Sequence, residues 1–233
     1  MKKYSHIIFD LDRTLWDFDG VSCEIISELF SEYVKPVTSF SFEYFYDKYL
    51  IINSGLWDLY RNNEIKKELL RVKRFSLTLE ELGINRPWIA NKMAEEYVEK
   101  TAIRIRLFPE TKPIIDYLKG KSYVLSIMTN GFKEVQYPKI KRSGLEPFFD
   151  YIFISEEIGF NKPDIRIFEY ALNKMKISAD KAIFVGDDYE VDILGAANAG
   201  IDQVYFNPNI DSCKNKKDAT FNICSLLEMK SFL

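Results

Sequence analysis

The chain has 233 residues, a formal net charge of −3 and three cysteines. At this length roughly 70 to 75% of the unfolded surface is buried on folding, in one large domain or two small ones, so no disulfide or metal staple is required. Mixed charge without a basic run or acidic tail argues against nucleic-acid and membrane partners, and the apolar stretches fall far short of the ~20 residues that span a bilayer. Cys23, Cys213 and Cys224 are odd in number and lack metal-like spacing, which points to reduced thiols in a soluble cytoplasmic protein.

The first element is Ile7-Ile8-Phe9, a short apolar run that reads as a strand buried on both faces. It ends in Asp10-Leu11-Asp12-Arg13-Thr14-Leu15. Side chains alternate along an extended segment, so Asp10 and Asp12 are aimed the same way off the strand end. Two carboxylates ~4 Å apart repel by about 4 kcal/mol at an effective dielectric of ~20, so the pair calls for a proton, a metal or a strong donor between them. His6, the chain's one histidine, precedes the run and reads as a sheet-end residue rather than a catalytic base.

Residues 16–95 show helical periodicity and no convincing strand. Ile26, Leu29, Phe30 and Tyr33 fall at i, i+3, i+4 and i+7, as do Phe42, Phe45, Tyr46 and Tyr49. The second stripe reads as bundle core before it reads as a base-stacking surface. Asn63 is expected to cap a third helix that carries Ile65, Leu69, Val72 and Ser76 and ends at Gly83. The block therefore predicts an all-helical domain over 16–95, inserted into an α/β core formed by residues 1–15 and 96–233.

From Thr101 onward short apolar runs alternate with helical stretches, the pattern of a parallel sheet with crossover helices. A helix is expected over 110–119, with Gly120 beyond it. Val124-Leu125-Ser126-Ile127-Met128 is a second strand, ending in Thr129-Asn130-Gly131. Pro138 is expected near a helix start, since its ring would break an interior, which makes residues 131–136 loop. Tyr151-Ile152-Phe153-Ile154 is a third strand, and Lys162-Pro163 follows it. The lysine should be extended and the proline should open a helix reaching about Met175. Ala182-Ile183-Phe184-Val185 is a fourth strand, opening into Gly186-Asp187-Asp188-Tyr189-Glu190-Val191-Asp192, so a second strand is tipped with acids. Residues 207–218 read as polar loop, and Ser225 with Glu228 has capping-box spacing for a last short helix. Ligands of open parallel sheets sit beyond the carboxyl ends of the strands, so acids, a hydroxyl, backbone donors and one lysine share an edge.

DLDRT, TNG, KP and GDDYEVD, in this order at these strand ends, resemble the four motifs of the haloacid dehalogenase superfamily in its phosphatase branch. The flanks Ser155-Glu156-Glu157-Ile158-Gly159 and Gly195-Ala196-Ala197-Asn198-Ala199-Gly200 are similar to its pyrimidine 5′-nucleotidase group. The resemblance implies a doubly wound, Rossmann-like parallel-sheet core with the helical block as an inserted cap. It implies Asp10 as nucleophile, Asp12 as general acid and base, Lys162 as the positive charge facing them, and Thr129, Asn130 and Gly131 as a phosphate cradle. Asp10, Asp187 and the backbone carbonyl of Asp12 are the implied Mg2+ set, of a donor type that suits this ion. Thr14 is expected to order its loop through the hydroxyl. Asp192, in preference to Asp188, is expected to hold Lys162 or a metal-bound water, and Asp188 reads equally well as a helix N-terminal charge.

These readings converge on a magnesium-dependent phosphomonoesterase acting through an aspartyl-phosphate on a small phosphorylated metabolite, foremost a pyrimidine nucleoside monophosphate. A sugar-phosphate phosphatase or phosphomutase is the nearest rival. A 2-haloacid dehalogenase is opposed by Asp12, since halide leaves without protonation. A phosphate-sensing regulatory domain is opposed by Asp12 and by the helical insertion. Specificity is expected from the helical block and from residues 15–19, with Trp16, Phe18, Trp57, Tyr60, Arg61 and Arg74 as candidates that no spacing rule separates.

Overall fold

The computed structural model describes residues 3–208 and 219–233. It divides into an α/β unit (Met1–Phe18, Arg106–Lys133, Ile140–Leu233) and a helical unit (Asp19–Ile105, Glu134–Lys139).

The helical unit is built on α1 (Phe18–Leu29), α2 (Phe42–Arg61), α3 (Lys67–Glu81) and α4 (Pro87–Ile103). Ile26, Leu29 and Phe30 are buried as their spacing predicts, and Phe45 and Tyr49 join the same core with Phe42 and Tyr46 half-buried against it. The aromatic stripe is thus packing: Tyr49 stacks on Phe75 with ring centroids 5.4 Å apart. Ser41 starts α2 by accepting from the Tyr44 N–H at 3.3 Å.

Asn63 does not cap α3. It follows the end of α2 with φ +60°, a left-handed conformation that asparagine tolerates better than most residues. Helix α3 begins after Lys66 and buries Leu70, Arg74, Phe75, Thr78 and Leu79, while Leu69 of the expected stripe is exposed. Two polar residues disguise the true face. The Arg74 guanidinium lies 4.3 Å over the Tyr97 ring, and the Thr78 hydroxyl donates to the Arg74 carbonyl at 2.6 Å, so both fit an apolar surface. Helix α4 runs through the boundary expected at 95/96.

In the α/β unit, β1 (His6–Phe9), β2 (Val124–Thr129), β3 (Tyr151–Ile154), β4 (Ala182–Gly186), β5 (Asp202–Phe206) and β6 (Phe221–Ile223) form one sheet in the order β3-β2-β1-β4-β5-β6. Every pairing is parallel. Phe9 at the end of β1 faces Ile127 on one side and Val185 on the other. Strand β2 runs two residues and β4 one residue past these partners, and β1, β2 and β4 are apolar because both faces are covered. Strands β5 and β6 escape the sequence reading; polar Asp202 and Asn222 interrupt their short runs.

The helices that follow are α5 (Thr111–Gly120), α6 (Lys133–Arg142), α7 (Ser155–Ile158), α8 (Ile165–Met175) and α9 (Gly195–Asn198), all in the α/β unit except the Glu134–Lys139 part of α6, which groups with the helical unit. Helix α6 contradicts the expected loop and carries Pro138 in its interior. Phe132, Val135, Gln136, Lys139 and Ile140 make a buried stripe at helical spacing. Burying its three apolar members, at roughly 1.5–3 kcal/mol each, offsets the ~3 kcal/mol that an interior proline costs. Pro163 does not open α8, which starts at Ile165 with the Asp164 carboxylate accepting from the Arg166 N–H at 3.0 Å. The Lys162–Pro163 peptide is cis. At the C-terminus the Ser225–Glu228 capping box forms as its spacing predicts.

Against the expectation of reduced thiols, Cys224 is in a disulfide; an odd count leaves room for one bridge. Cys23 is free. Cys213 and most of the expected polar loop lie outside the described residues. No helix among the described residues is long and apolar enough to cross a membrane.

Candidate active site

The order 3-2-1-4 places the reversal of the winding at the β1–β4 seam, where open α/β sheets leave a crevice beyond the strand ends. Asp10 is pinned there by its N–H, which donates to the Val185 carbonyl of β4 at 2.8 Å. Asp187 follows β4 directly, and Thr129 closes β2. Lys162 enters from the segment between α7 and α8.

These residues make a compact charged cluster. The Lys162 Nζ donates to Asp10 Oδ1 at 2.7 Å and to Asp192 Oδ1 at 2.6 Å, with both lysine and Asp192 at most 2% exposed. Asp192 Oδ2 accepts from the Asp188 N–H at 3.2 Å, and the Thr14 hydroxyl donates to Asp187 Oδ1 at 3.4 Å. Carboxylate oxygens of Asp10, Asp187 and Asp192 lie within 4.8 Å of one another. Three carboxylates against one ammonium leave an excess negative charge that burial makes costly.

The titration behaviour reflects that excess. Burial pushes the Asp10 carboxyl up to about 7 even though Lys162 opposes the rise, and the charges of Asp192 and Asp12 add to it. Burial also drives Asp187 well above the ordinary carboxylate range, helped by Asp10 and Asp192 and opposed by Arg13. Asp192 is raised by burial against the pull of Lys162. For Lys162, burial favours the neutral form, but Asp10 and Asp192 outweigh it and hold the ammonium.

A hard divalent cation fits this donor set. Both Asp192 oxygens are engaged, by Lys162 and by the Asp188 N–H, so Asp10 and Asp187 retain donor capacity. Two carboxylates, completed by water and phosphate oxygens, are a donor set that suits magnesium.

The structure thus brings Asp10, Asp187, Asp192, Lys162 and Thr14 together. Asp12 is half-buried; its charge reaches Asp10, while its carboxylate stands outside the three-acid group. Asp188 caps the wide helical turn Tyr189–Leu194, accepting from the N–H groups of Glu190 and Val191 at 3.1 and 3.0 Å. Thr129 Oγ1 accepts from the Gly131 N–H at 3.1 Å. The Asn130 side chain is turned to Lys162, whose backbone it holds at both ends.

Two contributors were not singled out from the sequence. A Cβ on Gly186 would lie 2.6 Å from Cβ and Cγ of Asp192, so only glycine lets that acid fold back against the end of β4. A glycine between an apolar strand and an acid run is the available signal of such a close approach. Arg13 adopts φ +68°, and its guanidinium lies 5.6 Å from the centre of the Phe18 ring while its charge acts on Asp187. Of the specificity candidates, Trp16 is fully buried in the α/β unit. Trp57, Tyr60, Arg61 and Arg74 belong to the helical unit, where Arg61 pairs with Asp58 and Arg74 is buried against Tyr97.

Comparison with known proteins follows the same lines. The family model described as haloacid dehalogenase-like hydrolase matches residues 7–206. The chain is 31% identical over 232 residues to the pyrimidine 5′-nucleotidase YjjG of Escherichia coli (strain K12), covering 99% of this chain and 98% of that protein. It is 28% identical over 228 residues to the pyrimidine 5′-nucleotidase PynA of Streptococcus pneumoniae, covering 97% and 93%. Among solved structures, the putative HAD-hydrolase YfnB of Bacillus subtilis bound to magnesium matches with a TM-score of 0.87 at 29% identity, covering 99% of this chain and 98% of that one.

Proposed function

The chain belongs to the haloacid dehalogenase-like hydrolases, and from that premise we propose that it is a magnesium-dependent phosphomonoesterase acting on pyrimidine nucleoside 5′-monophosphates. The observation that carries the reading is the acid group Asp10–Asp187–Asp192 at the carboxyl edge of the sheet, with Lys162 bonded to the buried Asp10 and Asp192.

Asp10 is the proposed nucleophile. One carboxylate oxygen attacks phosphorus, the ester P–O bond breaks, and an aspartyl-phosphate forms. Lys162, anchored on Asp10 and Asp192, offsets negative charge on the nucleophile and on the transferring group. Asp12 gives its proton to the departing alkoxide, then takes one from the water that attacks the acyl phosphate, releasing inorganic phosphate and restoring Asp10. The Thr129 hydroxyl and the backbone N–H groups at the tip of β2 supply donors for the phosphoryl oxygens. Asp10, Asp187 and the backbone carbonyl of Asp12 would hold the magnesium, which supplies positive charge against the clustered acids and the phosphate dianion.

Such a core handles the phosphoryl group alone. Choice of leaving group is then assigned to the helical unit, in keeping with phosphatases of different substrates sharing one core. The naming of YjjG and PynA as pyrimidine 5′-nucleotidases supports the nucleotide reading. The test is kcat/KM, with magnesium, for uridine, thymidine and adenosine 5′-monophosphates and for glucose 6-phosphate. Pyrimidine nucleotides are expected to lead. A hexose phosphate ahead of every nucleotide by tenfold, about 1.4 kcal/mol of transition-state preference, would remove the nucleotidase reading and leave the phosphatase.

A further inference from the structure

Lys162 owes its place to very little regular structure. It lies in the stretch between α7 and α8, outside the sheet ladder, so its backbone has no strand neighbour to fix it. The partner it does have is a side chain. Asn130 Nδ2 donates to the Lys162 carbonyl at 2.9 Å, and Asn130 Oδ1 accepts from the Lys162 N–H at 2.9 Å. One amide therefore pairs with both polar groups of one residue, as a neighbouring strand would.

The two bonds fix the root of the lysine side chain, and the far end is fixed by Asp10 and Asp192. Beside the clamp the following residue is also held close: a Cβ on Gly195 would lie 3.1 Å from Pro163 Cα. Asn130 itself stands directly after Thr129, the last residue of β2, so the clamp ties the lysine segment to the rigid tip of a central strand.

We propose that Asn130 is a positioning residue whose side chain acts on the reaction through Lys162, setting the ammonium between Asp10 and Asp192, and not by contact with phosphate. The inference rests on the phosphomonoesterase reading for its kinetic consequence. The cradle expected from the sequence draws on a hydroxyl and backbone amides, so it does not call on this side chain. An amide whose carbonyl oxygen is committed to one backbone N–H, and whose amino group is committed to the carbonyl of the same residue, is oriented by the clamp rather than by a ligand.

The test has two arms. The first is a double-mutant cycle on an aryl phosphate with Asn130→Ala, Lys162→Met and both together, with circular dichroism to confirm folding. Asn130→Ala is expected to lower kcat by about 10- to 100-fold with KM changed less than about threefold. In the Lys162→Met background the same change should cost less than about threefold. Full additivity, or a raised KM and a weakened inhibition by inorganic phosphate with kcat retained, makes Asn130 a phosphate ligand and overturns the proposal.

The second arm needs no turnover. Acylation of Lys162 by an amine-selective reagent, followed by peptide mass spectrometry, should be slow in the wild type and at least tenfold faster in Asn130→Ala, with other lysines unchanged. A lysine equally protected in both proteins overturns the inference, whatever the enzyme hydrolyses. Faster labelling in a protein that cleaves no phosphate ester would instead leave the positioning role standing and remove the phosphatase reading.

Discussion

Asp10 and Asp12 stand two residues apart on one strand end and are assigned different chemistry. Asp10 is buried against Lys162, whereas Asp12 is half-buried and lies outside the three-acid group. If Asp12 protonates the leaving oxygen, Asp12→Asn should slow alkyl and nucleoside phosphates by at least 100-fold and an activated aryl phosphate by less than tenfold. Equal losses across a leaving-group series would assign Asp12 another role. The Asp10 titration gives a second prediction. With its carboxyl pushed up to about 7, the metal-free native state holds a proton that the unfolded chain, with an ordinary carboxyl near ~4, has lost. Between those values the native state binds more protons, so the Asp10 contribution to metal-free stability falls as pH rises from about 4 to 7. Magnesium competes with that proton, so the rise in Tm on adding it should be larger at pH 8 than at pH 5. An equal rise at both values would show that cation binding does not involve this carboxylate. At this scale the sequence disclosed the acids, the lysine and Thr14, since residue type and order announce them. It did not disclose the Asn130 clamp, because Asn-Gly after a strand reads as an ordinary turn.

The site depends on how elements end rather than on how they run. Strands β1, β2 and β4 end within two residues of one another at the carboxyl edge, and the chain must turn away from each. Gly186 makes one such turn possible by letting Asp192 fold back against β4. Gly186→Ala should therefore displace Asp192 and loosen Lys162, lowering kcat at least tenfold in a protein that still folds. A variant with wild-type kcat would show that the close approach is dispensable. The acid-tipped strands were legible because short apolar runs with abrupt polar ends have few other readings. Helix α6 was not, since Pro138 carries a strong local signal that a buried stripe from Phe132 to Ile140 overrides. The face of α3 was misread for a related reason: Arg74 and Thr78 are polar by type and buried in fact.

For the whole molecule, one chain carries a parallel sheet with its charged edge and an inserted set of helices. Periodicity separates a helical block from the alternating stretch that follows it, and α4 continues unbroken through 95/96. Strands β5 and β6 complete the sheet without lending a residue to the acid cluster, which is why a motif-led reading passes over them. If the excess charge of that cluster is what magnesium answers, chelation should silence phosphate release and magnesium should restore it, while calcium, preferring more ligands at longer distance, should support it poorly. Undiminished turnover after rigorous metal removal would contradict the metal assignment. The central claim is that hydrolysis passes through covalent attack by Asp10, and phosphate release by Asp10→Asn tests it most directly. The substitution keeps the shape of the side chain and removes its charge, so a folded variant should retain less than about one-thousandth of the wild-type kcat on uridine 5′-monophosphate. A folded Asp10→Asn protein turning over within tenfold of the wild type would contradict it.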